Sequence, residues 1–204
     1  MTDRPPIIGL AGGIGAGKSA VAACLQALGC VVSDSDELAK AALRDHAVVE
    51  QLVARWGARV IGRDGLVNRS AVAAIVFEDE RERRWLESIV HPWIEARRRA
   101  SFAAAPPGTP ALVIDAPLLF EAGLDRDCDG ILFVDAPRAL RLERLRASRG
   151  WSASELDRRE AAQLPLDLKR AKADIVIVNT GDRQRLHQDA RAALDTLVSK
   201  HARG

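Results

Sequence analysis

The sequence predicts an α/β fold, in which helices flank a doubly wound parallel sheet of five strands. Two observations support this prediction: five short apolar runs alternate with segments of helical periodicity, and a glycine-rich loop joins the first run to the first helix. Strands that alternate with helices pair in parallel, because each helix carries the chain back across the sheet. The predicted strands are residues 6–11, 30–33, 111–115, 130–134 and 175–178.

The composition is that of a single globular domain. The chain has 204 residues, of which 48% are hydrophobic and 28% charged, and its formal net charge is +2. Its three cysteines lack C-x-x-C spacing, so neither a disulfide framework nor a zinc site is predicted. No apolar run resembles a signal peptide or a membrane span. We therefore expect a cytoplasmic protein that binds neither nucleic acid nor membranes and has no obligate protein partner.

The loop after the first strand, G-G-I-G-A-G-K-S at residues 12–19, matches the P-loop pattern G-x-x-x-x-G-K-[ST]. Its glycines let successive backbone amides face one anion, and the helix that follows adds its positive dipole end. Lys18 is then predicted to reach the β- and γ-phosphates, and Ser19 to ligate Mg²⁺. A glycine-rich turn that only begins a helix is the alternative. The spacing favours a nucleotide site formed by Gly13, Gly15, Ala16, Gly17, Lys18, Ser19 and Ala20.

Acidic residues end two of the predicted strands. The second strand leads into Asp34-Ser35-Asp36, and any of these residues could cap the following helix. A phosphotransferase, however, needs a carboxylate near the acceptor hydroxyl at this edge of the sheet, and position alone leaves both interpretations open. The third strand ends at Asp115 in the form of a Walker B segment, which predicts a contact with Mg²⁺ through water. A turn acid is the alternative there.

Residues 48–105 have a helical, arginine-rich pattern without a convincing strand. This stretch is too long for a simple crossover, so it is interpreted as an insertion over the carboxyl edge of the sheet. Arg69 and His91 could hold an anionic acceptor there. The alternatives are a solvated arginine at a helix start and a histidine that precedes a proline turn. After the third strand, Pro117-Leu118-Leu119-Phe120-Glu121 is predicted to form an apolar loop beside the nucleotide site.

An arginine-rich hairpin follows the fourth strand. Ser152-x-x-Glu155 predicts a capping box that opens its second helix. The hairpin has little apolar surface, so we expect a mobile lid, with an exposed hairpin as the alternative. The loop at Asn179 could contact adenine. These parts predict a single P-loop kinase domain with a core (about 1–40, 108–143 and 166–204), a helical acceptor-binding insertion (about 41–107) and a lid (about 144–165).

Several motifs together resemble the dephospho-CoA kinase family, over a stretch from Ile8 to about Gly181. Members of that family transfer the ATP γ-phosphoryl group to the ribose 3′-hydroxyl of dephospho-CoA, in the last step of coenzyme A synthesis. The resemblance therefore implies a small-molecule kinase that uses ATP and Mg²⁺. Its motifs are the P-loop, D-S-D at 34–36, D-G-L at 64–66 with Arg69 and Phe77, L-E-S-I-V-H-P at 86–92, P-L-L-F-E at 117–121, and R-E-A-A-Q at 159–163 with Lys169, Ala173-Asp174 and Asn179.

The resemblance also implies roles for individual residues. Asp36 would be either the general base or an orienter of the 3′-hydroxyl, while Asp34 would shape the helix start or the surroundings of Mg²⁺. Lys18 and Arg144 would be the other catalytic residues. The implied binding residues are the P-loop with Arg144, Arg159 and Asn179 for ATP, Asp36, Arg69, His91, Pro117 and Leu118 for dephospho-CoA, and Ser19 and Asp115 for Mg²⁺.

Three positions depart from the family pattern. Ala20 replaces a threonine and removes a hydroxyl, and Lys40 replaces an arginine and loses its bidentate fork. Ser148 stands where the second lid arginine is expected, with Arg149 beside it. The second lid cation is therefore either Arg149 or another residue.

Three other functions were considered. A kinase for another acceptor, such as a nucleoside, is disfavoured by the combination of His91-Pro92 with the loop at 117–121. A nucleotide-dependent switch is disfavoured because no N-K-x-D segment is present and Asp36 supplies an acid that a switch does not need. RNA binding is disfavoured because no RNA-recognition motif accompanies the arginines.

Overall fold

A computed structural model describes residues 4–203 of the chain. Five of its strands form one parallel sheet with the order β2-β3-β1-β4-β5, so the predicted fold class is confirmed. β1 lies at the centre and pairs in parallel with β3 on one side and β4 on the other. Each strand begins and ends within one residue of its predicted limits. The strands are β1 (Ile7–Gly12), β2 (Val31–Asp34), β3 (Leu112–Asp115), β4 (Gly130–Asp135) and β5 (Ile175–Val178).

Nine α-helices occur within residues 4–203. They are α1 (Lys18–Ala27), α2 (Ser35–Ala42), α3 (His46–Trp56), α4 (Arg69–Glu78), α5 (Glu80–Ala103), α6 (Arg138–Arg149), α7 (Ala153–Ala161), α8 (Leu166–Ala171) and α9 (Arg183–Arg203). The sequence pattern did not predict α8, because six residues hold too few turns to show a periodicity. α9 continues to Arg203 instead of ending near Val198 as predicted.

The described residues divide into two compact units. The first contains the residues up to Ser33 and those from Ala105 onward. Its core lies where α1 and α9 pack together beside the sheet, and it includes the fully buried side chains of Leu10, Leu25 and Leu132. The continuous apolar runs of the central strands follow from this burial. None of the helices in residues 4–203 is both long and apolar enough to cross a membrane.

The second unit, Asp34–Ala104, consists of α2 to α5 and a short 3-10 helix, Ala58–Val60. No strand of the sheet lies wholly within it, as the sequence predicted for residues 48–105. Trp56 is buried at its core, where its ring meets that of Trp85 edge-on at 5.0 Å. The proline turn considered after His91 is wrong, because Pro92 lies inside the long helix α5. A proline there removes one backbone hydrogen bond, and the remaining turns keep the helix continuous.

Candidate phosphate and phosphoryl-transfer site

The P-loop connects the end of β1 to the start of α1, as predicted. Gly15 and Gly17 have φ angles of 78° and 92°, in the left-handed region that favours glycine. Gly17 is the N-cap of α1, and no side chain caps the helix there. The amides of the first turn therefore remain available to an anion, with the positive end of the helix dipole behind them. Lys18 and Ser19 are the first two residues of this helix.

Lys18 and Asp115 form an ion pair at the carboxyl edge of the sheet. The Lys18 ammonium donates a hydrogen bond to Oδ1 of Asp115, whose side chain is only 3% exposed. Asp115 is the last residue of β3 and lies opposite Leu10 of β1 in the sheet register. The fold thus brings together a cation and an acid that are 97 residues apart in sequence. The contacts predicted for these two residues, with phosphates for Lys18 and with Mg²⁺ for Asp115, stay predictions.

Two side chains predicted to bind ATP support the P-loop from its carbonyl side. Arg144 on α6 donates to the carbonyl of Ala16 at 3.1 Å and to Oδ1 of Asn179 at 3.2 Å. The buried Asn179 amide donates to the same Ala16 carbonyl at 2.8 Å. A side chain at Gly17 would collide with this amide. Arg144 and Asn179 therefore fix the loop conformation, and a direct contact of either residue with ATP stays a prediction.

Arg141 also belongs to this group, although no motif predicted a role for it. Its buried guanidinium donates to the P-loop carbonyl of Ile14 at 3.1 Å and to the carbonyl of Ala136 at 3.2 Å. It also forms an ion pair with Glu160 of α7. The sequence pattern that could have identified Arg141 was weak, because α6 carries arginines on several faces and the sequence does not show which of them points inward.

The hairpin formed by α6 and α7 places cations around one aromatic ring. The guanidinium carbons of Arg149 and Arg159 lie 5.0 and 4.2 Å from the ring centre of Trp151. Arg159 and Arg158 also donate to Glu155, and these hydrogen bonds lower the pKa of Glu155 to about 2. Arg149 and Arg159 therefore contact the same ring, and the role of Arg149 as the second lid cation stays a prediction.

The predicted capping box is only half formed. The Ser152 hydroxyl caps α7 by accepting from the amide of Glu155 at 3.2 Å. The Glu155 carboxylate does not complete the box, because it binds Arg158 and Arg159 instead. Charge-assisted bonds to two arginines are stronger than the bond that it would accept from a neutral amide.

The apolar loop at 117–121 lies in the first unit, after β3. Pro117 is half-buried and Leu118 is exposed, whereas Leu119 and Phe120 point into the core. Leu118 is thus a large apolar side chain left at the surface, which suits a residue that contacts a ligand. Glu121 forms an ion pair with Lys169 of α8 at 2.7 Å. The sequence showed both residues only as members of motifs.

The predicted acceptor residues Asp36, Arg69 and His91 belong to the second unit. Asp34 is the N-cap of α2, because its carboxylate accepts from the amides of Asp36 and Glu37 at 2.9 and 3.0 Å. Asp36 is exposed in the first turn, and no hydrogen bond or ion pair from residues 4–203 engages its carboxylate.

Arg69 and His91 are also exposed. Arg69 is the first residue of α4 and follows its N-cap Asn68, while His91 lies on α5. Within this unit, the surroundings of Arg69 fit the alternative interpretation, in which it is a solvated arginine at a helix start. Roles of Arg69 and His91 toward an acceptor stay predictions.

Comparison with known proteins gives the family. The family model for dephospho-CoA kinase matches residues 6–184. The dephospho-CoA kinase of Synechococcus sp. (strain CC9902) is 43% identical over 197 residues, which cover 94% of this chain and 98% of that protein. The dephospho-CoA kinase of Anaeromyxobacter dehalogenans (strain 2CP-C) is 44% identical over 177 residues, which cover 86% and 84% of the two chains.

Solved structures agree with this result. TT1252 from Thermus thermophilus superimposes with a TM-score of 0.83 at 36% identity, covering 96% of this chain and 99% of that one. The dephospho-CoA kinase from Campylobacter jejuni gives a TM-score of 0.69 at 21% identity and covers 96% and 98%, which supports the fold. The chain therefore belongs to the dephospho-CoA kinase family, and it is an ATP-dependent kinase that phosphorylates dephospho-CoA in the final step of coenzyme A biosynthesis.

Proposed function

We propose that the P-loop and its neighbours bind Mg²⁺-ATP in this reaction, with Lys18 as the main cation on the transferred phosphoryl group. The main support for this proposal is the ion pair between Lys18, at the start of α1, and Asp115, at the end of β3. Phosphoryl transfer needs little covalent chemistry from the protein, so that positioning and charge stabilisation provide most of the rate. Lys18 and the first-turn amides supply both at one place.

The residues at this site suit a magnesium ion. The exposed hydroxyl of Ser19 and the carboxylate of Asp115 are oxygen donors of the kind that Mg²⁺ prefers. Residues 4–203 contain no cluster of three or more histidine, cysteine or acidic side chains able to hold a metal ion, which fits an ion held mainly by phosphates and water. When bound, Mg²⁺ would neutralise charge on the phosphate oxygens. We propose Ser19 as its direct ligand and Asp115 as a contact through water.

The arginines of α6 and α7 are proposed to complete the nucleotide site as a lid, over residues 144–165. Arg144 already contacts the P-loop, and the guanidinium group of Arg159 lies over the ring of Trp151 in the same hairpin. Closure of such a lid excludes water and places positive charge on the phosphates. Arg159 is proposed to make this contact, and Asn179 is proposed to lie near adenine.

The acceptor is proposed to bind through the helical insertion at about 41–107 and through Pro117 and Leu118. Asp36 is proposed to act on the 3′-hydroxyl, either as a base or by orienting it, and its support is an exposed carboxylate two residues after the end of β2. Arg69 and His91 are proposed to hold anionic groups of dephospho-CoA. A cytoplasmic location is also proposed, since the cysteine spacing lacks a disulfide framework.

The experiment is to measure ADP and CoA formation by the purified protein with Mg²⁺-ATP and a panel of acceptors. We expect both products with dephospho-CoA, no ADP with nucleosides, and loss of turnover when EDTA removes the metal. If ADP formed with a nucleoside and not with dephospho-CoA, the identification of dephospho-CoA as the acceptor would be wrong. Full turnover in EDTA would contradict the role of Mg²⁺.

A further inference from the structure

Lys169 of α8 is a buried lysine to which the reaction assigns no role. Its side chain is only 1% exposed, and a charged ammonium in such surroundings costs free energy unless polar groups pair with it. An apolar residue of similar volume would serve folding as well, because a buried ion pair adds little net stability over hydrophobic packing. A role in positioning would explain the lysine.

Two segments with different proposed substrates hold this ammonium. Nζ of Lys169 lies 2.7 Å from Oε1 of Glu121, the last residue of the acceptor loop 117–121, and donates to Oε1 of Gln163 at 3.0 Å. The amide of Leu164 donates to the same Glu121 oxygen at 2.9 Å. Gln163 and Leu164 lie at the end of the proposed lid. One carboxylate and one ammonium thus join the acceptor loop to the end of the lid.

The Glu121 carboxylate is kept ionised by these contacts. Burial by itself would raise the pKa of Glu121, but hydrogen bonds from Lys169 and from the Leu164 amide lower it more. The net result is a pKa below the usual range of glutamate. The Glu121 carboxylate is therefore charged at neutral pH, and charge-assisted bonds to such a group have strong geometric preferences.

α8 itself is anchored to the nucleotide side of the unit. The methyl carbon Cδ2 of Leu166 lies 3.5 Å from the place that a Cβ would take on Gly13 of the P-loop. Nη1 of Arg170 lies 2.6 Å from Oδ2 of Asp135 at the end of β4. Lys169 is thus a fixed point on the core, from which the acceptor loop and the end of the lid are both held.

We propose that Lys169 is a positioning residue of the kinase reaction, and that its network with Glu121 and Gln163 couples the binding of dephospho-CoA to the binding of ATP. The inference rests on the proposed function, which assigns the loop and the lid to the two substrates. An acceptor that moves the loop moves Glu121, and the shared hydrogen bonds pass this movement to the end of the lid. Such coupling is reciprocal, so the factor by which dephospho-CoA tightens ATP binding is also the factor by which ATP tightens dephospho-CoA binding.

The test measures the Kd of a non-hydrolysable ATP analogue with and without saturating dephospho-CoA, by titration calorimetry. For the wild type we expect dephospho-CoA to tighten binding by about 5–150-fold, the usual range of coupling between sites. We expect this ratio to fall below about twofold in Lys169→Met and in the double variant Glu121→Gln/Lys169→Met. The double variant leaves no lone buried charge, so it keeps the fold if the single variant does not.

Lys200→Met is the matched control, since Lys200 pairs with Asp174 at the surface and should keep the wild-type ratio. A wild-type ratio near one, or a double variant with the wild-type ratio, would overturn the proposal. A purely structural role for Lys169 would lower Tm and leave the ratio unchanged. CoA formation by the wild type is measured in parallel: its absence would contradict the proposed function, whereas its presence with unchanged coupling in the variants contradicts only the positioning role.

Discussion

Arg141 and Glu160 form an ion pair that joins α6 to α7, and the same guanidinium nitrogen donates to the P-loop carbonyl of Ile14. A single buried side chain therefore connects the phosphate loop to the helix that carries Arg159. Because the planar guanidinium reaches three oxygen acceptors at fixed angles, the P-loop and α7 hold each other in position. Arg141 lies outside the motifs identified in the sequence.

The first prediction concerns this contact. Arg141→Met should lower the free energy of unfolding by about 2–3 kcal/mol, because Glu160 and the Ile14 carbonyl both lose their partner. It should also raise KM for ATP by about tenfold, the equivalent of one charge-assisted hydrogen bond to the P-loop. Urea unfolding and steady-state kinetics measure the two effects.

Arg138→Met is the matched control for this prediction. Arg138 also lies on α6 and also pairs with an acid of α7, Asp157, but both of these side chains are about half exposed. Such a pair contributes less than about 1 kcal/mol, and neither residue contacts the P-loop. Equal effects of the two substitutions on KM would show that α6–α7 docking, and not the P-loop contact, controls ATP binding.

The second prediction concerns Lys18. Lys18→Ala should lower kcat by at least about 10²–10³-fold, because it removes a preorganised cation from the transferred phosphoryl group. It also leaves Asp115 without the ammonium, so stability should fall as well. The double variant Lys18→Met/Asp115→Asn should recover stability but not activity. A near-normal kcat in either variant would contradict the assignment of the loop.

The third prediction separates the two roles left open for Asp36. If Asp36 is a general base, Asp36→Asn should lower kcat by about 10²–10⁴-fold and leave the Kd of ATP unchanged. If Asp36 only orients the hydroxyl, the asparagine amide still offers a hydrogen bond and the decrease should be smaller. The neighbouring Glu37→Gln on the same helical turn should keep wild-type kcat. A weaker Kd for ATP in Asp36→Asn would contradict both acceptor-side roles.

The sequence predicted those features that depend on local pattern or on residue type. The P-loop was predictable because only glycine adopts the φ angles at Gly15 and Gly17 without strain, and the strands because central positions are continuously apolar. The cap at Asp34 was not predictable, because Asp34, Ser35 and Asp36 are all residue types that cap helices. The inward direction of Arg141 depends on tertiary packing. The continuity of α5 through Pro92 depends on the turns around it, which a single residue does not reveal.

The fourth prediction concerns acid stability of the second unit. Hydrogen bonds from Arg55 at 2.8 Å and from the Trp56 indole at 2.7 Å lower the pKa of Glu82 to about 2. An unfolded chain returns this pKa to about 4.5, so Glu82 stabilises the folded state fully above that pH. The contribution is lost as pH falls from about 4.5 toward about 2, because the folded state must then take up a proton against these contacts.

Glu82→Gln should therefore be less stable than the wild type at neutral pH, and the two unfolding free energies should converge as pH falls through this range. Tryptophan fluorescence measures the transition, because Trp56 and Trp85 are in contact beside Glu82. Arg55→Met should weaken this pH dependence more than Arg59→Met does, since Arg55 is the largest cause of the pKa shift of Glu82 and Arg59 is the last. Wild-type and Glu82→Gln curves that stay parallel down to pH 2 would show that Glu82 is not held ionised by Arg55 and Trp56.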